Sequence, residues 1–427
     1  MKYKSTGLVK RYMNTIFVKS LDNPKVVSEF VWSIRDAEKK GFSEFVLDFS
    51  GVEAVFPNVS VPISGIIEKL IDKGKSVSFV NDNKNIKMTR MLSPVFYDEA
   101  TDYEKSHILN KVWKFSSSEE VGKLVYAFMT ELQKLDRFHK GMLDSVEWAL
   151  NEVIDNVIQH SSISEGYVMG QIHNTSKYIA FTVFDTGQGI YNSLKTSEHA
   201  PKNTVDAITM AIKEEVTRDK KIGQGNGLYG LHSIVKQGKG RLCITSGSGS
   251  YMYENEQIHT YDNIQYLSSE SPCTIVDFQL DYSEDLSLDK ALVFRGKEYK
   301  PINIRLENLE DDFGNVIYKI KDNSEGTGTR ESAKRVKNEI FNILQTEPKT
   351  IVLDFSGVAV ISSSFADELI AKLLMELGLY QFNRVIRLKN LDSSLQNILQ
   401  RSVIQRFIED FNQSQESKES VSVSDRS

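Results

Sequence analysis

Residues 45–55 read FVLDFSGVEAV and residues 351–361 read IVLDFSGVAVI, so the heptapeptide VLDFSGV occurs twice, 306 positions apart. A continuous β-branched and aromatic run that ends in Ser-Gly predicts a buried strand leading into a turn. The repeat therefore predicts that one structural unit has been duplicated, with this strand at its centre.

The flanks of the two copies agree with each other. A helical pattern precedes each copy and a second one follows it, and Ile34 and Ile340 occupy the same place in the preceding helices. The four helical patterns are at 26–41, 61–74, 331–345 and 364–378. A further strand follows in each copy, SVSFVN or RVIRLKN. This order predicts two small α/β domains with partly parallel sheets, at 1–110 and 300–410.

The bulk composition is that of a soluble globular protein of two to four domains. Of 427 residues, 40% are hydrophobic and 26% are charged, and the net charge of −6 offers no footprint for nucleic acid. No apolar run approaches the ~18–20 residues of a membrane span, and the first 20 residues lack the apolar core of a secretory signal. We therefore expect a cytoplasmic protein without membrane or nucleic-acid partners.

Two cysteines, Cys243 and Cys273, are spaced unlike a metal site. We expect both to be reduced thiols. The last residues, QSQESKESVSVSDRS, contain few apolar side chains, so the composition predicts a disordered tail at 411–427.

A different block, 115–285, lies between the two copies. Its pattern predicts helices at about 115–140 and 141–161, a shorter helix around 203–216, and four strands. The strands are YVMGQIHN, YIAFTVFD, RLCITSG and CTIVDFQL. The predicted fold class is α/β, with an α+β sandwich of a mixed sheet on helices in the middle.

The first motif of this block is ALNEVIDNVIQHS, at 149–161. Apolar residues at helical spacing, from Leu143 to Val157, predict a buried face. Glu152, Asn156 and His160 recur every fourth residue, so they form one stripe beside that face. The stripe fits either an exposed polar edge or a set of groups that reach into a pocket.

The second and third motifs are rich in glycine. FTVFDTGQGI, at 181–190, places Asp185 at the end of an apolar strand, followed by Gly187 and Gly189. GQGNGLYGLHSIVKQGKG, at 223–240, places glycines before an apolar-periodic helix that starts near Leu228. Glycines allow a backbone to approach a ligand closely, and a helix N-terminus favours phosphates. Each motif alone also fits an ordinary turn or glycine-rich connection, and the third is not the dinucleotide fingerprint because its spacing differs.

Taken in order, E-x-x-x-N-x-x-x-H, D-x-G-x-G and G-x-G-x-G-L resemble the N, G1 and G2 boxes of the GHKL superfamily, the Bergerat-type ATPases and kinases. The resemblance covers about 170 residues. It implies that Asn156 ligates Mg²⁺, that Glu152 is a general base, and that Asp185 holds the adenine amino group. The glycines at 187 and 189 would let the backbone pass close to the base. The phosphates would be held by Gly225, Gly227 and Leu228.

The resemblance further implies that 191–222 is a mobile lid over ATP. Lys220 or Lys221 could reach a phosphate from this lid, although two lysines before a loop are more often exposed to solvent. Thr274 stands where the family often has a Gly-Thr pair, although Cys273 replaces the glycine. Histidine kinases usually lack the glutamate that Glu152 provides, and His139 has no phospho-acceptor context. The closest type is therefore the anti-sigma-factor serine kinase.

The duplicated domains resemble STAS-type domains, and SSSFADEL at 362–369 is similar to STAS-like modules that carry this sequence. In the regulatory members of that group, a serine after the central strand is phosphorylated. Here Ser362 and Ser363 lack the Asp and Gly of that turn, so a helix cap explains them as well. The expected role is protein interaction or docking within the chain.

These observations predict a regulatory protein that binds Mg-ATP and couples hydrolysis or phosphoryl transfer to lid closure and protein–protein switching. A serine protein kinase of the anti-sigma-factor type and a nucleotide-gated binding module without significant catalysis are the alternatives. The sequence leaves the protein partner, the acceptor of the phosphate and the formation of a homodimer open.

Overall fold

The computed structural model describes residues 6–80, 83–160, 165–213, 216, 227–262, 264, 272–294, 297–298, 309–311, 313–346 and 349–424. Within these residues, no helix combines the length and the apolar character that crossing a membrane requires. The chain divides into two compact units, Met1–Glu131 with Gly141–Lys300, and Leu132–Lys140 with Pro301–Ser427.

The first copy of the duplicated domain is a four-stranded sheet with two helices. Its elements are β1 (Val9–Tyr12), β2 (Thr15–Val18), α1 (Lys25–Lys39), β3 (Glu44–Asp48), α2 (Pro57–Asp72) and β4 (Ser76–Val80). The strand order is β1-β2-β3-β4, and only the β1–β2 hairpin is antiparallel. The predicted helix-strand-helix-strand order of this copy is confirmed.

The central block forms an eight-stranded mixed sheet. Its elements are α3 (Lys84–Met88), β5 (Val95–Phe96), α4 (Asp102–Ser106), β6 (Trp113–Phe115), α5 (Ser118–Leu135), α6 (Met142–His160), β7 (Gly166–His173), β8 (Tyr178–Asp185), α7 (Gly189–Leu194), α8 (Thr204–Ala211), α9 (Gly227–Gln237), β9 (Arg241–Ser246), β10 (Gly249–Glu254), β11 (Gln257–Tyr261), β12 (Thr274–Asp281) and α10 (Leu288–Ala291). The strand order is β11-β10-β9-β12-β8-β7-β6-β5, with only β5 and β6 parallel. A separate hairpin, β13 (Val293–Phe294) and β14 (Lys297–Glu298), follows.

The two faces of this sheet carry different helices. Phe181 on β8 meets Phe128 on α5 edge-on, with ring centroids 5.1 Å apart, and α6 and α9 pack on the same sheet. Successive strand residues point to opposite faces, so the neighbouring Phe184 points the other way. It lies in one hydrophobic cluster with residues of the first copy, which α2 brings onto the sheet. The first copy and the central block therefore share a core, and they do not meet at a simple domain boundary near residue 110.

The second copy is a three-stranded parallel sheet. Its elements are β15 (Val316–Lys319), α11 (Ile320–Asn323), α12 (Arg330–Thr346), β16 (Ile351–Asp354), α13 (Ser363–Ala366), a π-turn (Asp367–Ala371), α14 (Lys372–Leu377), α15 (Leu379–Val385), β17 (Ile386–Lys389) and α16 (Ser393–Ser424). The strand order is β15-β16-β17. The backbone of the predicted disordered tail is thus helical as far as Ser424, because Gln, Glu and Lys favour a helix even where composition provides no buried face.

The repeated heptapeptide has the same local structure in both copies. β3 and β16 are each the strand between two parallel neighbours. In the turn after the strand, the Asp48 carboxylate accepts from the Ser50 N–H at 2.9 Å, and Asp354 accepts from Ser356 at 2.8 Å. The duplication inferred from the sequence is therefore matched by topology and by hydrogen bonding.

Periodicity located the longer elements of the central block and missed others. The two long helices, the four predicted strands and the helix beginning at the third motif are all present. The hairpin of β10 and β11 was not predicted, and Val95–Phe96 joins the central sheet although the sequence assigned it to the first copy. Short strands carry too little periodicity to be recognised before their partners are known.

Candidate functional site

Helix α6 supplies the first group of candidate residues. Its apolar face is buried as predicted, including Leu150, Val153 and Val157. Glu152 and Asn156 stand one turn apart beside that face, and both are half-buried. The backbone of the third member of the stripe, His160, ends the helix, and its side chain lies outside the described residues. The stripe is thus an edge between core and surface rather than a solvated face.

Gly227, the first residue of α9, lies directly against that stripe. A Cβ atom added to Gly227 would lie 2.5 Å from the Glu152 Oε2 atom and 3.4 Å from the Asn156 Nδ2 atom. Any side chain here would force the Glu152 carboxylate to move, so glycine at 227 is what leaves that carboxylate in its place. The structure therefore brings Glu152, Asn156 and Gly227 together, although the last two are 71 positions apart in the sequence.

The Glu152 carboxyl group is electrostatically unusual. Burial raises its pKa above the ordinary glutamate value, and the nearby Asp155 carboxylate raises the pKa further. Among the described residues, the Glu152 side chain has no hydrogen-bond or ion-pair partner. A half-buried acid without a partner is costly to the fold, and such groups occur disproportionately at functional sites.

The end of strand β8 supplies the second group. Asp185 is 6% exposed, and its Oδ1 accepts from the Gly187 N–H at 2.8 Å. Thr274, its partner across the β8–β12 ladder, donates its hydroxyl to the same carboxyl. Burial raises the pKa of Asp185 to about 6, and the two hydrogen bonds and the Lys69 ammonium oppose that rise. A buried acceptor is thus held in place at the end of the strand.

A serine connects Thr274 with the second glycine of this motif. The Ser246 Oγ lies 3.2 Å from the Thr274 Oγ1 and accepts from the Ile190 N–H at 2.9 Å. Gly189 has φ +72°, and a Cβ there would lie 3.0 Å from the same Ser246 Oγ. The conformation therefore favours glycine at 189, and the space for a side chain is tight. Ser246 was not singled out in the sequence because a small polar residue at a strand end resembles a turn.

The predicted site residues thus form two clusters on the same side of the sheet. One contains Glu152, Asn156 and Gly227, and the other contains Asp185, Gly187, Gly189 and Thr274. Asp185 and Phe181 share a face of β8 by alternation, and Phe181 contacts α5. Leu228 is half-buried in the first turn of α9. Gly225, Lys220 and Lys221 lie outside the described residues, and the predicted lid is described only in part, through α7 and α8.

The remaining sequence candidates have structural roles in the described chain. Both cysteines are free thiols, with Cys273 buried and Cys243 half-buried. The Cys273 carbonyl accepts from the Gly247 N–H at 3.2 Å, so this backbone contact forms without a glycine at 273. Ser362 is the N-cap of α13, where its hydroxyl accepts from the Phe365 N–H at 3.0 Å. Ser363 is exposed.

Comparison with known proteins identifies part of the second copy. Residues 332–396 match the family described as STAS-like domain of unknown function (DUF4325). The matched region runs from α12 through β16 and α13 into α16, and includes the SSSFADEL sequence. No curated protein matches the chain. The chain therefore contains a C-terminal STAS-like domain.

Proposed function

We propose that the central block is a Bergerat-type domain that binds Mg-ATP and couples its hydrolysis, or transfer of its phosphoryl group, to protein–protein switching. The observation that carries the proposal is the meeting of Glu152, Asn156 and Gly227. Three motifs that are weak separately become one site when two of them touch, as Gly227 does with both polar residues of α6. We also propose that the first copy of the duplicated domain is a second STAS-like domain, because it shares the heptapeptide VLDFSGV and the strand topology of the C-terminal copy.

The residues present fit a magnesium nucleotide. Asn156 offers a side-chain oxygen, the ligand type that Mg²⁺ accepts beside phosphate oxygens. Gly227 starts an eleven-residue helix, whose backbone N–H groups and positive dipole end favour anions. The missing side chain at Gly227 leaves the backbone accessible next to the two polar groups. Bound Mg²⁺ would neutralise charge on the phosphates.

Glu152 has the properties of a general base. Its elevated pKa places it nearer to neutrality than an ordinary glutamate, which favours proton acceptance at the working pH. It would take a proton from an attacking water or hydroxyl.

Asp185 would recognise the base of the nucleotide. An exocyclic amine donates to an ionised carboxylate, and at pH 7 a group with a pKa of about 6 is mostly ionised. Thr274 and the Gly187 N–H hold the carboxyl in place for this contact. The cluster around Ser246 holds Gly189 close, where the backbone can pass the ligand without a side chain.

The decisive experiment measures ATP binding and turnover for wild type, Glu152→Gln and Asn156→Ala, with labelled γ-phosphate followed into free phosphate and into protein. We expect Asn156→Ala to lose magnesium-dependent binding, and Glu152→Gln to bind ATP without turning it over. Asn151→Ala is the matched control, because Asn151 is exposed on the same helix. Retained magnesium-dependent binding by Asn156→Ala would reject this site.

The same experiment separates the two alternatives. Label on the protein or on an added partner supports the serine kinase, whereas binding without turnover in wild type supports a nucleotide-gated binding module. Ser362 is engaged as a helix cap and Ser363 is exposed, so Ser363→Ala is the variant that tests an acceptor within the chain.

A further inference from the structure

The segment between helices α5 and α6, residues 132–140, belongs to the compact unit of the C-terminal STAS-like domain. We call this segment the connector. It includes the last residues of α5 and ends just before α6, the helix with Glu152 and Asn156. The chain therefore passes through the second unit immediately before it forms the proposed catalytic helix.

Two buried asparagines of α12 bind the main chain of the connector. Asn342 accepts from the Phe138 N–H at 2.9 Å and donates its amide to the carbonyls of Gln133 and Asp136, both at 3.0 Å. Asn338, one turn earlier, donates to the Lys134 carbonyl at 3.3 Å. The two asparagines are 2% and 4% exposed, so these bonds satisfy polar groups that water does not reach.

A side chain of the connector completes the contact. Arg137 lies over the Phe341 ring, 4.5 Å from its centroid, and its guanidinium is 2.5 Å from the Glu376 carboxylate on α14. Its Nε also donates to the Asn338 side chain at 3.4 Å. Main-chain and side-chain groups of the connector are thus both recognised by α12 and α14.

This binding surface is specific to the second copy. At the offset of 306 residues, Trp32 and Asp36 of α1 stand where α12 has Asn338 and Asn342. Trp32 is 57% exposed, so the corresponding position of the first copy is not buried against a peptide segment. The amide pair is therefore no requirement of the duplicated fold, and it needs an explanation of its own.

The other end of the connector is fixed as well. Gly141 follows it with φ +79°, and a Cβ atom there would lie 2.0 Å from the Leu286 carbonyl oxygen. The Gly141 carbonyl accepts from the Ser145 N–H at 3.0 Å and begins α6. Only His139 and Lys140 separate this anchored glycine from Phe138. Glu152 lies eleven residues further, about 16 Å along a rigid helix.

We propose that the C-terminal STAS-like domain acts on the nucleotide site through the connector. By holding Phe138 and Arg137, it sets the start of α6 and thereby the placement of Glu152 and Asn156. Only two residues lie between Phe138 and Gly141, so a change in the connector would be passed on to the start of α6. The predicted effect on nucleotide rests on the proposed function. The binding of the connector by the C-terminal domain does not depend on that function.

The test uses the full-length chain with Asn342→Ala, and Asn323→Ala as the matched control. Asn323 is half-buried in the same unit, and among described residues its side chain donates to the Lys319 carbonyl. Arg137→Ala is a milder variant that loosens the connector from its own side, in case Asn342→Ala fails to fold. Hydrogen exchange of 132–140 is measured without nucleotide, and ATP affinity and turnover are measured separately.

We expect exchange in the connector to become about tenfold faster or more in Asn342→Ala and Arg137→Ala, and to stay unchanged in the control. Turnover should fall about fivefold or more, while ATP affinity changes less, because the residues around Asp185 are untouched. Unchanged exchange would refute the claim that α12 holds the connector in place. Faster exchange with unchanged turnover would refute the coupling between the connector and the nucleotide site. If wild type neither binds nor hydrolyses ATP, the proposed function and the coupling both fail. The exchange result still tests whether α12 holds the connector in place.

Discussion

Gly65 on α2 lies directly against the ring of Phe184 on β8, so closely that a Cβ atom on the glycine would be 2.4 Å from a ring carbon. Both residues belong to the junction between the first copy and the central sheet, and Phe184 is 1% exposed. Other contacts surround the pair. Gln171 donates to the Val55 carbonyl at 2.8 Å, and the Lys114 ammonium lies 2.5 Å from the Glu68 carboxylate.

Gly65→Ala should therefore destabilise the first unit. The added methyl group must push an immobile buried ring aside, which costs about 1–3 kcal/mol in overpacked cores. Denaturant unfolding of the full-length chain measures this loss. Gly122→Ala is the control, because Gly122 is a helical glycine of α5 with open space around it and should gain slightly in stability. Phe184→Leu provides the room, so a double variant that is no better than Gly65→Ala would contradict the steric explanation.

Gly227→Ala tests the contact between the third motif and the first. The new methyl group would overlap the Glu152 carboxylate, so we expect loss of ATP turnover and weakened ATP binding. Nucleotide titration and phosphate release measure the two effects. Adding Glu152→Ala removes the obstructing carboxylate, and the double variant should regain binding without regaining turnover. Binding that is fully retained in Gly227→Ala alone would show that this contact is unimportant.

The pH dependence of stability should show the raised pKa values of Asp185 and Asp277. Both are buried, and burial raises the pKa of each from the ordinary 3.8 to about 6. Between those values the native state holds protons that the unfolded state has lost, so the free energy of unfolding must fall as pH rises from 3.8 through 6. The contribution of each group is fully present below pH 3.8 and is lost above pH 6.

Asp185→Asn should remove the part of this decrease in the free energy of unfolding that Asp185 causes. The amide keeps an acceptor oxygen for the Gly187 N–H, so the variant should be more stable than wild type above pH 6, by up to about 3 kcal/mol. Urea unfolding from pH 4 to pH 8 measures the difference, and ATP binding should be lost in the same variant. A parallel pair of stability curves for wild type and variant would refute the pKa assignment.

Lys337 should be essential to the C-terminal STAS-like domain. Its buried ammonium lies 2.8 Å from Glu368 and 3.2 Å from Glu376. Burial alone would raise the pKa of Glu368, but Lys337 and Lys372 outweigh it and hold the pKa at about 2. Lys337→Met removes the most buried of these cations and leaves Glu368 with Lys372 and Arg330, so we expect a loss of about 1–3 kcal/mol.

Unfolding experiments on Lys337→Met above pH 5 should show this loss. The depressed pKa of Glu368 contributes stability that is present above pH 4.5 and disappears as pH falls through 2, so the difference between variant and wild type should shrink in acid. Lys334→Met removes a charge from an exposed position of the same helix and should change little. Equal losses in both variants would contradict a specific role for Lys337.

The sequence by itself determined the long elements and the duplication. The spacing of Leu150, Val153 and Val157 identified α6, and the repeated VLDFSGV identified β3 and β16, because helical and strand periodicity are local properties. The same local patterns placed Glu152 and Asn156 on one stripe and Asp185 at a strand end. They could not show that Gly227 meets that stripe, since this contact joins residues distant in the chain.

Only the tertiary structure decided how these parts are used. Gly65 packs on Phe184 across 119 positions of sequence, and Asn342 binds the Gln133 carbonyl across 209. Nothing in the residues around Gly65 or Asn342 identifies such partners, because packing and main-chain recognition depend on shapes that form only after distant elements meet. Thus the first copy became part of the central core, and residues 132–140 became part of the C-terminal unit, for reasons of three-dimensional complementarity that no local pattern carries.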